Sequence, residues 1–189
     1  TEISVNRLLH GNKTEKSKNE LFAMVNEGYP KTFHHIAKMA LNKKDESFSG
    51  VEALGVLKSD VDNLGLIFSS GLKRYSLSRL ATLSRQMNHY FSVYLPFILS
   101  TNEEFKDVYT VFAGGDDLFL IGPWNKIVDF ALFLNNSFKD YVFGNNLITI
   151  SAVISLIILV EPIPSISERT EDALKKAKGN TRNSITLFE

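Results

Sequence analysis

VYTVFAGGDDLFLI, running from Val108 to Ile121, is the stretch that decides the fold. Two β-rich runs, Val108 to Ala113 and Asp117 to Ile121, flank a glycine pair and an aspartate pair. Apolar runs broken at that interval by Gly and Asp read as a β-hairpin. Toward the N-terminus, Val51 to Asp62 reads as a strand, with Leu54, Val56, Lys58, Asp60 and Asp62 sharing one face by the two-residue period. Asn63 to Gly71 follows as a loop or short helix. Ser76 to Leu99 then reads as one long helix, its stripe formed by Leu77, Leu80, Ser84, Met87, Phe91, Tyr94 and Ile98. Toward the C-terminus, a helix after Pro123 presents Ile127, Ala131, Leu134, Phe138 and Tyr141. Leu147 to Val160 is a long strand, and Ser165-x-x-Glu168 has capping-box spacing before a third helix ending at Gly179. Ser184 to Phe188 is a last short strand. This order predicts an α+β, ferredoxin-like palm over residues 51–189, an antiparallel-rich sheet with helices packed on one face.

Residues 1–50 read as a lead-in: a charged loop at Lys13 to Glu20, short helices at Leu21 to Glu27 and Thr32 to Leu41, and a linker at Asp45 to Gly50. The chain has 189 residues, 44% of them hydrophobic, which is too apolar for disorder and long enough for a real core. It has no cysteine, which excludes a disulfide scaffold and thiolate metal sites. Its 21 basic and 21 acidic residues cancel, so broad charge-driven binding to nucleic acid or membrane gains no support. No apolar run is long enough to span a membrane and no signal segment is visible, so a cytoplasmic protein is expected. The start at Thr1 without methionine suggests a piece of something longer.

Four acidic residues stand out by position. Asp60 and Asp62 end the first strand, and Asp116 and Asp117 follow Gly114 and Gly115 at the hairpin tip. If strand and hairpin are neighbours, these carboxylates converge and repel unless a cation joins them. Oxygen ligands without His or Cys suit Mg²⁺ or Mn²⁺, the usual partners of phosphoryl or nucleotidyl transfer. Glycines at 114 and 115 permit positive φ and let a nucleotide approach the backbone. Strand alternation points Asp116 and Asp117 to opposite faces, so one direct ligand is expected, with Asp116 favoured, unless the turn distorts the alternation. The plain alternative is that Gly-Gly-Asp-Asp is only good turn chemistry. Asp62, Ser76 and Ser78 are further candidates for nucleotide contact, although the serines could equally start the helix. Lys178 and Arg182 could answer phosphates or, like Lys175 and Lys176, complement a helix dipole. No histidine precedes an aspartate, and His34-His35 reads as a solvated pair.

LGVLKSDVDNLG (Leu54 to Gly65), SLSRLA (Ser76 to Ala81) and VFAGGDDLFLIGPW (Val111 to Trp124) together resemble the large subunit of type III CRISPR effector complexes. The likeness is to its second palm domain, and most closely to the III-A (Csm) branch. NSITLF (Asn183 to Phe188) and the lead-in around Tyr29 to Phe33 resemble that branch too. The resemblance implies an antiviral enzyme that turns ATP into cyclic oligoadenylate when a complex with crRNA and other subunits senses target RNA. It implies Asp60, Asp116 and Asp117 as catalytic metal ligands, with the Val61 carbonyl assisting, and Lys178 and Arg182 on phosphates.

The palm is also similar to diguanylate cyclases, whose guanine-reading Asn aligns with Phe68, which disfavours guanine. Val153 stands where the family commonly has Gly. The family's nuclease, first palm, zinc cysteines and C-terminal helical domain are not in this sequence, so half of a composite site is expected. Two other readings compete: a GGDEF-like signalling domain, and a palm kept only to dock other subunits.

Overall fold

The structure is a computed structural model, and it describes residues 31–44, 47–71, 76–157, 163–180 and 182–188. The expected loop at Lys13 to Glu20 and helix at Leu21 to Glu27 lie outside the described residues. A short helix α1 (Phe33–Lys38) is capped by Thr32, whose Oγ1 accepts the His35 amide while His35 Nδ1 accepts the Thr32 amide. His35 is therefore buried and structural, where a solvated pair is expected. Next come β1 (Asn42–Lys44) and β2 (Ser47–Ser49), which pair antiparallel, β2 falling within the expected linker Asp45 to Gly50.

The main sheet uses β3 (Leu54–Val61), β4 (Tyr109–Gly114), β5 (Asp117–Pro123), β6 (Ile150–Ile157) and β7 (Ile185–Phe188). Its order is β4-β5-β3-β6-β7, antiparallel except for the β6·β7 pair. Between β3 and β4 lie α2 (Leu64–Leu66), a π-helical turn Ile67–Gly71, and α3 (Leu77–His89), which passes through a π-helical segment Tyr90–Tyr94 into α4 (Leu95–Thr101). Helix α5 (Trp124–Tyr141) joins β5 to β6, and α6 (Ile163–Asn180) joins β6 to β7. Strands β3 to β6 with α3 and α5 make the split β-α-β pattern of a ferredoxin-like palm.

Helices cover both faces of the sheet, not one. Leu57, Val61, Leu118, Leu120, Ile150 and Ile154 face a core shared with Tyr90, Phe91, Leu95, Phe130, Leu134 and Phe138. The alternate residues Leu54, Val56, Phe119 and Ile121 pack with Ile36 of α1 and Ile166 of α6, and Val153 packs with Ala173, Leu174 and Ala177. The central strands are apolar on both sides over most of their length, so one layer of helices could not dry them.

The long helix departs from its expected stripe for a local reason. Met87 and Phe91 are buried as expected, but beyond the π-helical segment the buried residues are Leu95 and Leu99 rather than Tyr94 and Ile98. A π turn inserts one residue and rotates everything after it. Leu77 is left 78% exposed at the other end. Helix α6 begins at Ile163, so Ser165 sits inside it rather than capping it. Strand β3 also stops at Val61, which leaves Asp62 in the following turn.

Candidate active site

The register of β3 against β5 sets the site. Asp60 and Asp117 are direct cross-strand partners, and Gly114 pairs with Asp117 to close a two-residue turn of Gly115 and Asp116. Gly115 has φ +67° and Asp116 does not have a positive φ, which is the hairpin turn that calls for glycine at its first central position. Because Asp116 lies in the turn, strand alternation does not separate it from Asp117. Both flank Asp60: each carboxyl perturbs the Asp60 charge or is perturbed by it. The structure thus sets Asp116 and Asp117 each beside Asp60, and Asp117 is not turned away from it.

Burial pushes the Asp60 carboxyl above its ordinary range, the hydrogen-bonded Lys178 ammonium pulls it back, and the neighbouring Asp116 pushes the same way as burial. Burial also raises Asp117, against the pull of Lys58, while Asp60 and Glu171 add to the rise. Oδ1 of Asp117 is buried and has no hydrogen-bond partner, and its Oδ2 lies 3.8 Å from Lys58 Nζ. Lys58 in turn pairs with Glu171 of α6. These are carboxylates short of positive charge.

Lys178, at the C-terminal end of α6, bonds the Asp60 carboxylate and lies 3.4 Å from the Val61 carbonyl. Those are two of the groups expected to hold a cation, so the lysine ammonium stands where one would bind. Among the described residues no three acidic or histidine side chains close on one point. A divalent cation would therefore draw on Asp60, Asp116 or Asp117, the Val61 carbonyl, and water or phosphate oxygens. That oxygen set fits Mg²⁺ or Mn²⁺, and the unpartnered Asp117 Oδ1 is the atom that most needs it.

The other expected residues fall out differently. Arg182 is exposed in the turn after α6. Asp62 is 1% exposed, and its carboxylate accepts hydrogen bonds from Thr149, Ser151 and the Asn183 amide. With its oxygens committed inside the protein, it does not face a nucleotide. Ser76 caps α3 by accepting the Arg79 amide, and Ser78 is exposed on its first turn. Asn88 near the far end of α3 bonds the glycine turn, so the two serines lie roughly 15 Å or more along the helix from it. They are not brought to the carboxylates.

Asn88 itself carries no sequence signal of its role. Its Oδ1 accepts the Gly115 amide at 3.0 Å and the Ser92 hydroxyl at 2.9 Å, while Ser92 Oγ also lies 3.4 Å from the Ala113 carbonyl. Helix and turn are thereby locked together at the point where the π-helical segment starts. The i, i+4 spacing of Asn88 and Ser92 is visible in the sequence, but nothing in it indicates what the pair touches.

Asp117 offers a direct test of these electrostatics. A carboxylate whose folded pKa is raised destabilises the fold above that pKa, and the penalty fades as pH falls toward the unfolded value. Asp117→Asn in metal-free buffer is therefore expected to raise the melting temperature by a few degrees at neutral pH. The gain should shrink on acidification toward pH 3.8, the ordinary aspartate value. A variant that melts lower than the parent at neutral pH would mean that the Lys58 pair outweighs burial.

Known proteins give the site its context. The profile of the Cas10/Cmr2 second palm domain matches residues 53–186. The chain is 38% identical over 159 residues to the CRISPR system single-strand-specific deoxyribonuclease Cas10/Csm1 (subtype III-A) of Streptococcus thermophilus, covering 81% of this chain and 20% of that protein. The Enterococcus italicus counterpart is 37% identical over 141 residues, covering 74% and 18%. Among solved structures, a Csm1-Csm4 cassette in complex with cA4 superposes with a TM-score of 0.72 at 29% identity, over 87% of this chain and 24% of that one. The cassette in complex with one ATP gives 0.70 at 31% identity, over 84% and 23%. The chain spans about a fifth of the length of the curated relatives it matches. With the palm topology, the glycine turn and the matched segment in agreement, the chain belongs to the Cas10/Cmr2 family, in which it corresponds to the second palm domain.

Proposed function

We propose that this chain is the ATP-binding nucleotidyltransferase palm of a type III-A CRISPR large subunit, forming half of a composite site that makes cyclic oligoadenylate. The observation that carries the reading is the meeting of Asp60, Asp116 and Asp117 at the glycine turn beside Lys178. Support comes from relatives of the same fold solved with ATP, with AMPPNP, and with cA3 or cA4. The partners that fit are a Csm4-type subunit, crRNA and target RNA, and a second palm. No described helix is long and apolar enough to cross a membrane.

In the proposed reaction a hydroxyl of one ATP attacks the α-phosphate of another. One P–O bond forms, the bond to the bridging oxygen breaks, and pyrophosphate leaves. Two Mg²⁺ or Mn²⁺ ions held by Asp60, Asp116, Asp117 and the Val61 carbonyl would stabilise the attacking and leaving oxygens. The chain's own part is positional. The Gly115 turn, fixed by Asn88, keeps Asp116 and Asp117 opposite Asp60. Lys178, largely buried, and the exposed Arg182 would supply positive charge for the phosphates, and burial keeps the field of the lysine strong.

The deciding measurement is calorimetric titration of the chain with ATP and with GTP, each with Mg²⁺. ATP is expected to bind and GTP to bind more weakly, with little or no product from this chain alone. Preference for GTP would favour the diguanylate-cyclase-like reading. Robust cyclic oligoadenylate synthesis by the chain alone would remove the composite site.

A further inference from the structure

Asp62 is the most heavily engaged carboxylate among the described residues, and the proposed chemistry does not use it. It stands one residue past β3, and its backbone amide donates to the Thr149 carbonyl at 2.8 Å. Its side chain is 1% exposed. Oδ2 accepts from Thr149 Oγ1 at 2.8 Å and from the Asn183 amide at 3.0 Å, while the Ser151 hydroxyl lies 2.8 and 2.9 Å from the two oxygens. Lys178 Nζ lies 3.8 Å from Oδ1.

These partners come from three different places. Thr149 immediately precedes β6 and Ser151 lies at its start, Asn183 belongs to the turn before β7, and Lys178 to the last turn of α6. Asn183 is held at φ +55°, a left-handed conformation that asparagine adopts more readily than most residues other than glycine. The turn is tied on one side by the Asp62 bond, and on the other by the Ala152 amide donating to the Ser184 carbonyl at 2.9 Å. A buried carboxylate is retained only when its lone pairs are filled, and bonds to an ionised acceptor are stronger than neutral ones.

We propose that Asp62 is a positioning residue: its buried carboxylate ties Lys178 and the Asn183 amide, next to Arg182, to the end of β3 and so sets where both cationic side chains meet a polyphosphate. The inference rests on the reading of this site as an ATP-binding palm. Asp60 and Asp62 are separated by one residue, so the same strand end that presents Asp60 also fixes the cations across from it. Asp62 touches no substrate. It acts through Lys178 and the turn that carries Arg182.

The test titrates the full chain with inorganic tripolyphosphate, ATP and adenosine, each with Mg²⁺. Asp62→Asn keeps the size but loses the charge and one acceptor. It is expected to weaken tripolyphosphate and ATP binding on the order of tenfold, a loss of about 1.4 kcal/mol, and to leave adenosine unchanged. Arg182→Ala in the parent and in the Asp62→Asn background completes a double-mutant cycle. If Asp62 works through the turn, removing Arg182 costs less in the Asp62→Asn background than in the parent, whereas a merely structural role leaves the two factors independent.

A folded Asp62→Asn variant with parental tripolyphosphate affinity, or independent factors, overturns the proposal. If the parent binds neither ATP nor tripolyphosphate, the reading of the site fails instead. Should Asp62→Asn not fold, Thr149→Val removes one donor and keeps the shape. A few-fold loss of tripolyphosphate affinity is then expected, and unchanged affinity overturns the proposal.

Discussion

Alanine at both Asp116 and Asp117 is expected to lower nucleotidyl transfer by about a thousandfold in the assembled complex, a loss of about 4 kcal/mol of charge stabilisation for the two carboxylates together. The same variant should lose the part of its ATP affinity that depends on Mg²⁺ and keep the part that survives EDTA. The fold should tolerate the change. Asp117 is a half-buried carboxylate with one buried, unpartnered oxygen, and Asp116 lies in a turn whose geometry depends on Gly115. Parental melting behaviour with lost activity would therefore assign the effect to chemistry. Unchanged ATP binding and unchanged synthesis would instead favour a palm kept only to dock neighbouring subunits.

Gly55→Ala is expected to destabilise the fold by about 3 kcal/mol, with the melting temperature falling by roughly 6–12 °C. A methyl at that position would stand 2.8 Å from Ile127 Cβ and 3.0 Å from the Trp124 Cα. Neither atom is the free end of a side chain, so the first turn of α5 would have to lift from the sheet. Gly122, the cross-strand partner of Gly55, is similarly crowded by Val108 and Ile127. The glycine pair forms the seat on which α5 rests. Gly65→Ala serves as the control, because nothing lies within 4 Å of a methyl there. Thermal melts of the two variants should separate widely, and equal melts would mean that α5 yields without cost.

The parts legible in the sequence were those governed by local pattern. The apolar stripe of α5, the glycine hairpin and the strand that carries Asp60 all follow from periodicity and turn chemistry, although the strand runs from Leu54 to Val61 rather than from Val51 to Asp62. The parts that were not legible depend on distant segments. Asp62 shares the strand period with Asp60, yet the chain turns after Val61 and delivers Asp62 to Thr149 and Ser151, nearly ninety positions away. The π-helical segment at Tyr90–Tyr94 has no composition cue, and it alone moves the buried stripe from Tyr94 to Leu95. Helices on both faces could have been anticipated, since Phe119 and Ile121 interleave with Leu118 and Leu120 without a polar break. The pull of Lys178 toward Asp60 is a tertiary contact, and a helix-end lysine gives no advance sign of it.

The lysine ammonium seated on Asp60 and beside the Val61 carbonyl is a resident counter-ion on a tether. An incoming sodium or potassium ion would bring no more charge than the group it displaces, and would strand a lysine that had lost its carboxylate. A species of higher charge density that also offers the displaced ammonium a new anionic neighbour meets neither objection, and a divalent metal arriving with a polyphosphate is such a species. The lysine thus gives Asp60 one counter-charge from within the fold, while the neighbouring Asp117 keeps an oxygen without a partner.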